Sequence, residues 1–183
     1  HLHALFPDRD IVTFHYRDYG PSAGRPGADA ILADAERIHD TVIADPGGGR
    51  TVVVGLSLGA GPAAHLASHR PVDGAILVTP FDSIEALAAD LYPWLPMRLL
   101  LRHRMDVAGA IARSSAPVAI ITAERDEIVP ARRTEALRRS ASDLVLDRVI
   151  PGVGHNDIYN SEGFVEAMRE ALSLIENRYG PSP

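Results

Sequence analysis

Cysteine is absent from this 183-residue chain, which excludes disulfides, thiolate metal sites and a cysteine nucleophile. The absence gives slight support to a cytoplasmic location and does not identify the compartment. No apolar stretch reaches the roughly 18 residues that a membrane-spanning helix needs. The net charge of -6 argues against a nucleic-acid partner, because phosphate binding requires a basic face. The remaining composition predicts one globular domain over residues 1–183, large enough to bury a core.

Short apolar runs alternate with helical patterns along the chain. This alternation predicts an α/β fold with a mostly parallel sheet and helices on both faces. The runs predicted as strands are residues 11–14, 51–56, 75–78, 118–122 and 144–150. Between the third and fourth of these runs, residues 81–116 are more than one crossover helix needs. We interpret them as a small helical cap over the carboxyl edge of the sheet.

The segment Gly55-Leu56-Ser57-Leu58-Gly59 lies between an apolar run and the small-residue segment 60–67. A G-x-S-x-G sequence between a strand and a helix is typical of a nucleophile elbow. Its flanking glycines relieve crowding around a central residue held in a strained conformation. Ser57 is therefore the candidate nucleophile, and the backbone N–H of Leu58 is a candidate oxyanion donor.

Two further side chains follow predicted strands further along the chain. Asp126 follows the run 118–122, and His155 follows the run 144–150. Because the carboxyl ends of parallel strands meet at one edge, we expect Ser57, Asp126 and His155 to lie together. The chain order Ser, Asp, His is the one that this elbow implies. Asp82, just past the run 75–78, is the alternative acid.

With these motifs the chain resembles the α/β-hydrolase superfamily, and within it small-cap serine hydrolases such as abhydrolase-domain esterases and thioesterases. The resemblance rests on four segments: Tyr16–Gly24, the segment around Ser57, Asp126 with Val129-Pro130, and Gly154–Asp157. It implies Ser57, Asp126 and His155 as nucleophile, acid and base. The implied reaction is hydrolysis of a small-molecule carboxylic ester or thioester through an acyl-serine intermediate, with no cofactor or metal. A peptidase would use the same residues.

Two departures from that family pattern carry expectations of their own. Asp18 stands where relatives usually have glycine. The chain also begins after the place where relatives have further strands and a His-Gly loop that donates the second oxyanion N–H. We therefore expect an N-terminally truncated α/β-hydrolase fold with one oxyanion donor and an exposed sheet edge. Such an edge could pair two copies of the chain into a homodimer.

Other residues have competing interpretations. Tyr19, Phe81, Tyr92 and Trp94 line an acyl pocket, or else they pack the cap onto the body of the domain. Three arginines form a cationic rim or a solvated helix face: Arg98, Arg102 and Arg104. His65 and His69 have the i, i+4 spacing of a metal pair, but the sequence offers no evident third ligand. We interpret these two histidines as surface residues.

Two other function classes stay open at this point. Residues 59–64 fit G-x-G-x-x-A after a strand, and Asp82 follows at about the distance of a ribose contact, as in a dinucleotide-binding domain. However, the first glycine arrives late for a turn at the strand end, and Asp126 and His155 stay unexplained. The other class is a non-catalytic scaffold that keeps these residues without a complete oxyanion hole.

Overall fold

A four-stranded parallel sheet forms the centre of the chain. The computed structural model describes residues 2–25, 27–42, 49–97 and 105–180. The strands are β1 (Val52–Leu56), β2 (Gly74–Val78), β3 (Val118–Ala123) and β4 (Leu144–Ile150). They lie side by side in chain order, and every neighbouring pair is parallel. The predicted α/β fold with a parallel sheet is therefore confirmed.

Seven helices are found in the described residues, and three have a side-chain cap at their first turn. The helices are α1 (Leu2–Leu5), α2 (Ala28–Val42), α3 (Ala60–His69), α4 (Ile84–Leu91), α5 (Val107–Arg113), α6 (Ala131–Ser140) and α7 (Glu162–Asn177). Ser83, Asp106 and Ser161 each accept a backbone N–H from the first turn of α4, α5 and α7. Such caps satisfy N–H groups that have no partner within the helix. None of the helices in the described ranges is long and apolar enough to cross a membrane.

The core has one layer on each face of the sheet. Residues of α3, α5 and α6 pack on one face against Leu77 and Ile120, and residues of α7 pack on the other face against Ile76 and Ile121. Every residue of β2 and β3 is buried. Burial on both faces explains why these strands are continuous apolar runs rather than alternating ones.

The predicted first strand is wrong: residues 11–14 form no strand. Cavities of about 630 and 610 Å³ are lined jointly by residues of this segment and of β1. Among the described residues β1 pairs only with β2, and Val12 is 55% exposed. An apolar β-branched run becomes a strand only when a neighbouring strand pairs with its backbone hydrogen-bonding groups. Here the cavities lie between residues 11–14 and β1, the strand with which they would pair.

The predicted cap segment, residues 81–116, divides into two parts. Met105, Val107 and Ile111 are buried in the core layer of α3, so α5 packs as part of the domain body. By contrast, Tyr92 and Trp94 follow α4 and are exposed. Residues 98–104, which include the three arginines of the predicted cationic rim, lie outside the described residues. Because Leu87 of α4 also lies in that core layer, the helical cap stays a prediction.

Candidate active site

The turn around Ser57 links the end of β1 to the start of α3. Residues 57–59 form one 3₁₀ turn, and Ser57 has φ of +49°. A Cβ on Gly55 would lie 2.5 Å from the carbonyl oxygen of Gly59 and 2.7 Å from the Cα of Ala60. No real Cβ fits at such distances, so glycine is required where β1 runs this close to α3. This close approach holds Ser57 in a left-handed conformation that non-glycine residues seldom adopt.

A continuous hydrogen-bonded series joins three side chains at the carboxyl edge of the sheet. Ser57 Oγ lies 2.8 Å from His155 Nε2. His155 Nδ1 lies 2.9 and 2.8 Å from the two carboxylate oxygens of Asp126. Both the imidazole and the carboxylate are almost fully buried. With the proton on Nδ1 the imidazole donates to Asp126, which leaves Nε2 as an acceptor for the Ser57 proton.

Backbone hydrogen bonds fix the carboxylate of Asp126. Its Oδ1 accepts the N–H groups of Ile128 at 3.0 Å and Val129 at 2.7 Å. The loop that carries His155 is fixed in turn by Glu127, whose Oε2 accepts the His155 N–H at 3.1 Å. Such charge-assisted bonds are stronger than neutral ones. Asp126 and His155 are thus oriented by neighbouring residues of the loop after β3.

The alternative acid has other partners. Asp82 Oδ2 accepts Arg133 Nη1 at 3.1 Å, and its Oδ1 accepts the Ser83 N–H at 2.8 Å. The structure therefore brings Asp126, and not Asp82, to His155. Arg133, which pairs with Asp82, belongs to α6. The sequence around Asp82 therefore does not indicate this pairing.

Thr79 and Tyr159 lie beside this series and were missed by the sequence analysis. Thr79 directly follows β2, is 1% exposed and has φ of +46°. Its Oγ1 lies 3.3 Å from the Tyr159 hydroxyl. Burial and, less strongly, the charge of Asp126 raise the pKa of Tyr159 against the opposing hydrogen bond from Thr79. A β-branched residue at positive φ is a genuine outlier, and no sequence pattern indicates it.

The loop before α2 accommodates Asp18, which stands where relatives usually have glycine. Asp18 has φ of +66°, the left-handed conformation that glycine favours and that aspartate tolerates better than most residues. The neighbouring Arg17 forms a two-pronged ion pair with Asp34 of α2. A Cβ on Gly59 would lie 3.4 Å from the Tyr16 hydroxyl, so this loop reaches the Ser57 turn.

The four predicted pocket residues differ in their exposure to solvent. Phe81 is 1% exposed and belongs to the core layer of α3, whereas Tyr19, Tyr92 and the 76% exposed Trp94 lie on the surface. The burial of Phe81 therefore favours the interpretation that this residue packs in the body of the domain rather than lining an acyl pocket. The cavity of about 630 Å³ along β1 reaches Leu56 and Gly59, on either side of Ser57, and the cavity of about 610 Å³ reaches Gly59.

The glycines of the predicted dinucleotide motif have packing roles. A Cβ on Gly61 would lie 1.8 Å from Met105 Sδ, so this glycine permits close contact between α3 and the segment before α5. Asp82, the predicted ribose ligand, is paired with Arg133. Neither residue is arranged to receive a dinucleotide. Within the described ranges, the group of donor atoms close enough to hold a metal ion consists of Glu36, His65 and His69.

Known proteins resemble the chain in sequence and in fold. No family model matches it. An uncharacterized protein of Mycobacterium tuberculosis is 36% identical over 176 residues, which cover 94% of this chain and 62% of that protein. The lysophosphatidylserine lipase ABHD12 of Mus musculus is 28% identical over 195 residues, covering 91% of this chain and 49% of the lipase. The chain therefore spans between about half and two thirds of these relatives.

A solved structure of an alpha-beta serine hydrolase homologue from Coxiella burnetii has the same fold. It superposes with a TM-score of 0.58 at 20% identity, covering 88% of this chain and 65% of that one. At this identity the likeness concerns the fold alone. The arrangement of strands and helices around Ser57 is thus one that other proteins share.

Proposed function

Because the chain belongs to the α/β-hydrolase superfamily, we propose that it is a serine hydrolase that cleaves carboxylic ester or thioester bonds through an acyl-serine intermediate. The observation that supports this proposal is the hydrogen-bonded series from Ser57 through His155 to Asp126. A serine hydroxyl is a weak nucleophile until a base takes its proton, and this geometry supplies both the base and the group that orients it.

In the proposed acylation step, Ser57 Oγ forms a bond to the acyl carbon while its proton passes to His155 Nε2. The carbonyl electron pair moves to oxygen, and the Leu58 N–H stabilises the resulting oxyanion. Asp126 stabilises the imidazolium without taking its proton. When the carbonyl reforms, the bond to the leaving alcohol or thiol breaks, and His155 returns the proton to that group.

Deacylation repeats these steps with water. His155 removes a proton from water as the water oxygen attacks the acyl-serine carbon. Collapse of the second oxyanion breaks the bond to Ser57 Oγ, which recovers its proton from His155. A second oxyanion N–H, expected from the loop that relatives have before the region matched here, stays a prediction. Loss of one such donor typically costs about 10²- to 10³-fold in kcat.

An ester with an apolar acyl chain is the substrate class that we favour. The ABHD12 relative is a lysophosphatidylserine lipase, and lysophospholipids are acyl esters. Exposed Leu91, Tyr92 and Trp94 form an apolar strip on the cap that can contact such a chain. A thioester with the same acyl group is the alternative, since the proposed steps differ only in the leaving atom.

Intact-mass analysis after exposure to a fluorophosphonate tests the proposed nucleophile. We expect one adduct on the unmodified protein and none on Ser57→Ala. His155→Ala should also lose the adduct, because it removes the base and leaves the serine in place. Ser142→Ala is the matched control, because this exposed serine lies before β4 at the opposite edge of the sheet and should label normally.

Failure to label a chain whose circular dichroism is that of a folded α/β protein would contradict the proposal and favour the non-catalytic scaffold. Labelling that survives in Ser57→Ala would place the reactive group elsewhere. If labelling occurs, turnover of p-nitrophenyl esters of increasing acyl length, and of acyl thioesters, separates the substrate classes. A preference for long over short acyl chains that weakens in Trp94→Ala would support the lipid ester.

A further inference from the structure

A group of charged and imidazole side chains lies where α2 and α3 pack together, apart from the proposed catalytic residues. Glu36 of α2 faces His65 and His69 of α3, and one ligand atom from each lies within 4.8 Å of the others. His65 Nε2 is 2.6 Å from Glu36 Oε1. The two imidazole rings are stacked, with centroids 4.1 Å apart and planes 25° from parallel.

The spacing of these residues explains their convergence. Side chains four residues apart on a helix lie one above the other on the same face, which places His65 over His69. Glu36 is the third candidate ligand that the sequence pattern did not indicate, because it stands 29 residues before His65 on another helix. Only the packing of α2 against α3 brings it to the histidine pair. His65 is also partly buried, so the surface interpretation holds for His69 and not for His65.

The donor set suits a divalent transition metal. Two imidazole nitrogens and one carboxylate oxygen are ligands that Zn²⁺ takes at about 2.0–2.2 Å, with water in the fourth position. Tetrahedral ligands at that distance are separated by roughly 3.4 Å. The His65–Glu36 pair, now 2.6 Å apart, would open by about 0.8 Å, and the widest pair, within 4.8 Å, would close by at most about 1.4 Å. Side-chain torsions allow this, because His69 is exposed.

Neighbouring charges orient the carboxylate and leave room for a cation. Arg70 donates to Glu36 Oε2 at 3.0 Å, which leaves Oε1 for the metal side. The same guanidinium donates to Asp40 at 2.6 and 2.9 Å. With neutral imidazoles, Glu36, Asp40 and Arg70 sum to a charge of about -1, so a divalent cation would not meet net repulsion. Such outer partners of metal ligands hold them in position.

We propose that Glu36, His65 and His69 form a Zn²⁺ site that joins α2 to α3. The ion replaces the hydrogen bond between His65 and Glu36, and water completes the coordination. Since α3 directly follows the 3₁₀ turn that contains Ser57, the site fixes the far end of the helix that begins beside the proposed nucleophile.

Calorimetric titration with Zn²⁺ and visible spectroscopy with Co²⁺ test the site at about pH 7.5, because protons compete less with the metal for imidazole ligands as the pH rises. We expect one equivalent of each metal and the intense visible bands of four-coordinate Co²⁺. His65→Ala and His69→Ala should each weaken binding by more than about tenfold, the smallest loss usual even for outer partners of a metal. Glu36→Gln keeps the side-chain volume and should weaken binding similarly.

His15→Ala and His3→Ala are matched controls, because each removes an imidazole that lies outside this group. Both should bind Zn²⁺ like the unmodified protein. At Zn²⁺ in about 100-fold excess over Kd, Tm should rise by about 5 °C in the unmodified protein and in the controls. His69→Ala, which is exposed and should fold normally, should show a rise of no more than about half that size, because binding more than about tenfold weaker lowers the stabilisation at the same Zn²⁺ concentration. The proposal is overturned by Co²⁺ bands of unchanged strength in both cluster histidine variants, by their absence from the folded protein, or by loss of binding in His3→Ala alone.

Discussion

Ser57, Thr79 and Asp18 are the non-glycine residues with positive φ in the described part of the chain. Ser57 and Thr79 directly follow the neighbouring strands β1 and β2, beside the Asp126–His155 pair. Strained backbone of this kind persists only where the surroundings over-determine it, and it clusters at functional sites. Both positions therefore mark the carboxyl edge of the sheet as the place where packing has been adjusted to hold particular side chains.

Gly55→Ala tests how strongly packing enforces the Ser57 turn. The added Cβ would meet the backbone of Gly59 and Ala60, so β1 and α3 must separate. We expect the free energy of unfolding in urea to fall by about 2–3 kcal/mol and fluorophosphonate labelling to slow. Gly27→Ala, which has open space around its Cβ, is the control. Equal stability of the two variants would show that the close approach at Gly55 is not required.

Asp126→Asn compared with Asp82→Asn tests which carboxylate orients His155. An amide at position 126 favours the wrong imidazole tautomer, and we expect kcat/KM for an ester substrate to fall by about 10⁴-fold. Asp82→Asn should leave kcat/KM nearly unchanged and lower Tm, because it weakens only the pair with Arg133. The reverse ranking of the two rates would assign the acid to Asp82.

The positions of Ser57, Asp126 and His155 could be predicted because each follows an apolar run, and parallel strands end at one edge. The choice between Asp126 and Asp82 could not, since it depends on Arg133 of a different helix. The same holds for Glu36 beside His65 and His69. Residue type and strand position are local properties, whereas side-chain partners across helices are set by packing that no single segment encodes.

At the scale of elements, Arg133 ties α4 to α6. It donates to Asp90 of α4 at 2.6 and 3.1 Å as well as to Asp82. Its hydrogen bond, with that of Arg132, lowers the pKa of Asp90 to about 2. Because that pKa lies below the usual value of 3.8, the stabilisation is complete above about pH 5 and is lost as the pH falls through about 2.

Arg133→Leu should lower the free energy of unfolding by about 1–2 kcal/mol at pH 7, because Asp82 loses its bond to Arg133 and Asp90 is left with Arg132 alone. The difference in the free energy of unfolding between the variant and the unmodified protein should decrease below about pH 4, because aspartate in the unfolded chain then binds a proton. Urea unfolding at pH 7 and at pH 3.5 measures both quantities. Arg139→Leu, whose side chain is exposed beside Glu135, is the control. A gap that is constant with pH would assign the loss to packing rather than to the ion pairs.

Four strands could be predicted from their apolar runs, and the exception is instructive. Residues 11–14 have the composition of a strand but lie across a cavity from β1. Strand formation depends on a partner that is distant in sequence, so composition alone overestimated it. Helices make their hydrogen bonds within the segment, so α2, α6 and α7 depend less on a distant partner.

At the scale of the whole molecule, the two edges of the sheet differ. The β1 edge faces two cavities, and Val54 on it is exposed. The β4 edge carries Asp147 and Arg148, whose charges discourage pairing with another strand. We therefore expect any self-association, including the predicted homodimer, to use β1.

Sedimentation velocity at increasing concentration measures this association. Val54→Lys should shift the chain toward monomer, because a charge on the β1 edge opposes pairing. Val149→Lys introduces the same charge on exposed β4 and should leave the association unchanged. An unmodified chain that stays monomeric at every concentration would contradict the homodimer prediction.

The helix α3 has Ser57 just before one end and His69 at the other. At ~1.5 Å of rise per residue, the two ends of this segment are some 18 Å apart. With Co²⁺ held by the histidine pair, the electron spin of the ion would act on nuclei of any acyl group attached to Ser57. The helix would then serve as a built-in ruler, from which paramagnetic relaxation reports the position of the bound group without an added label.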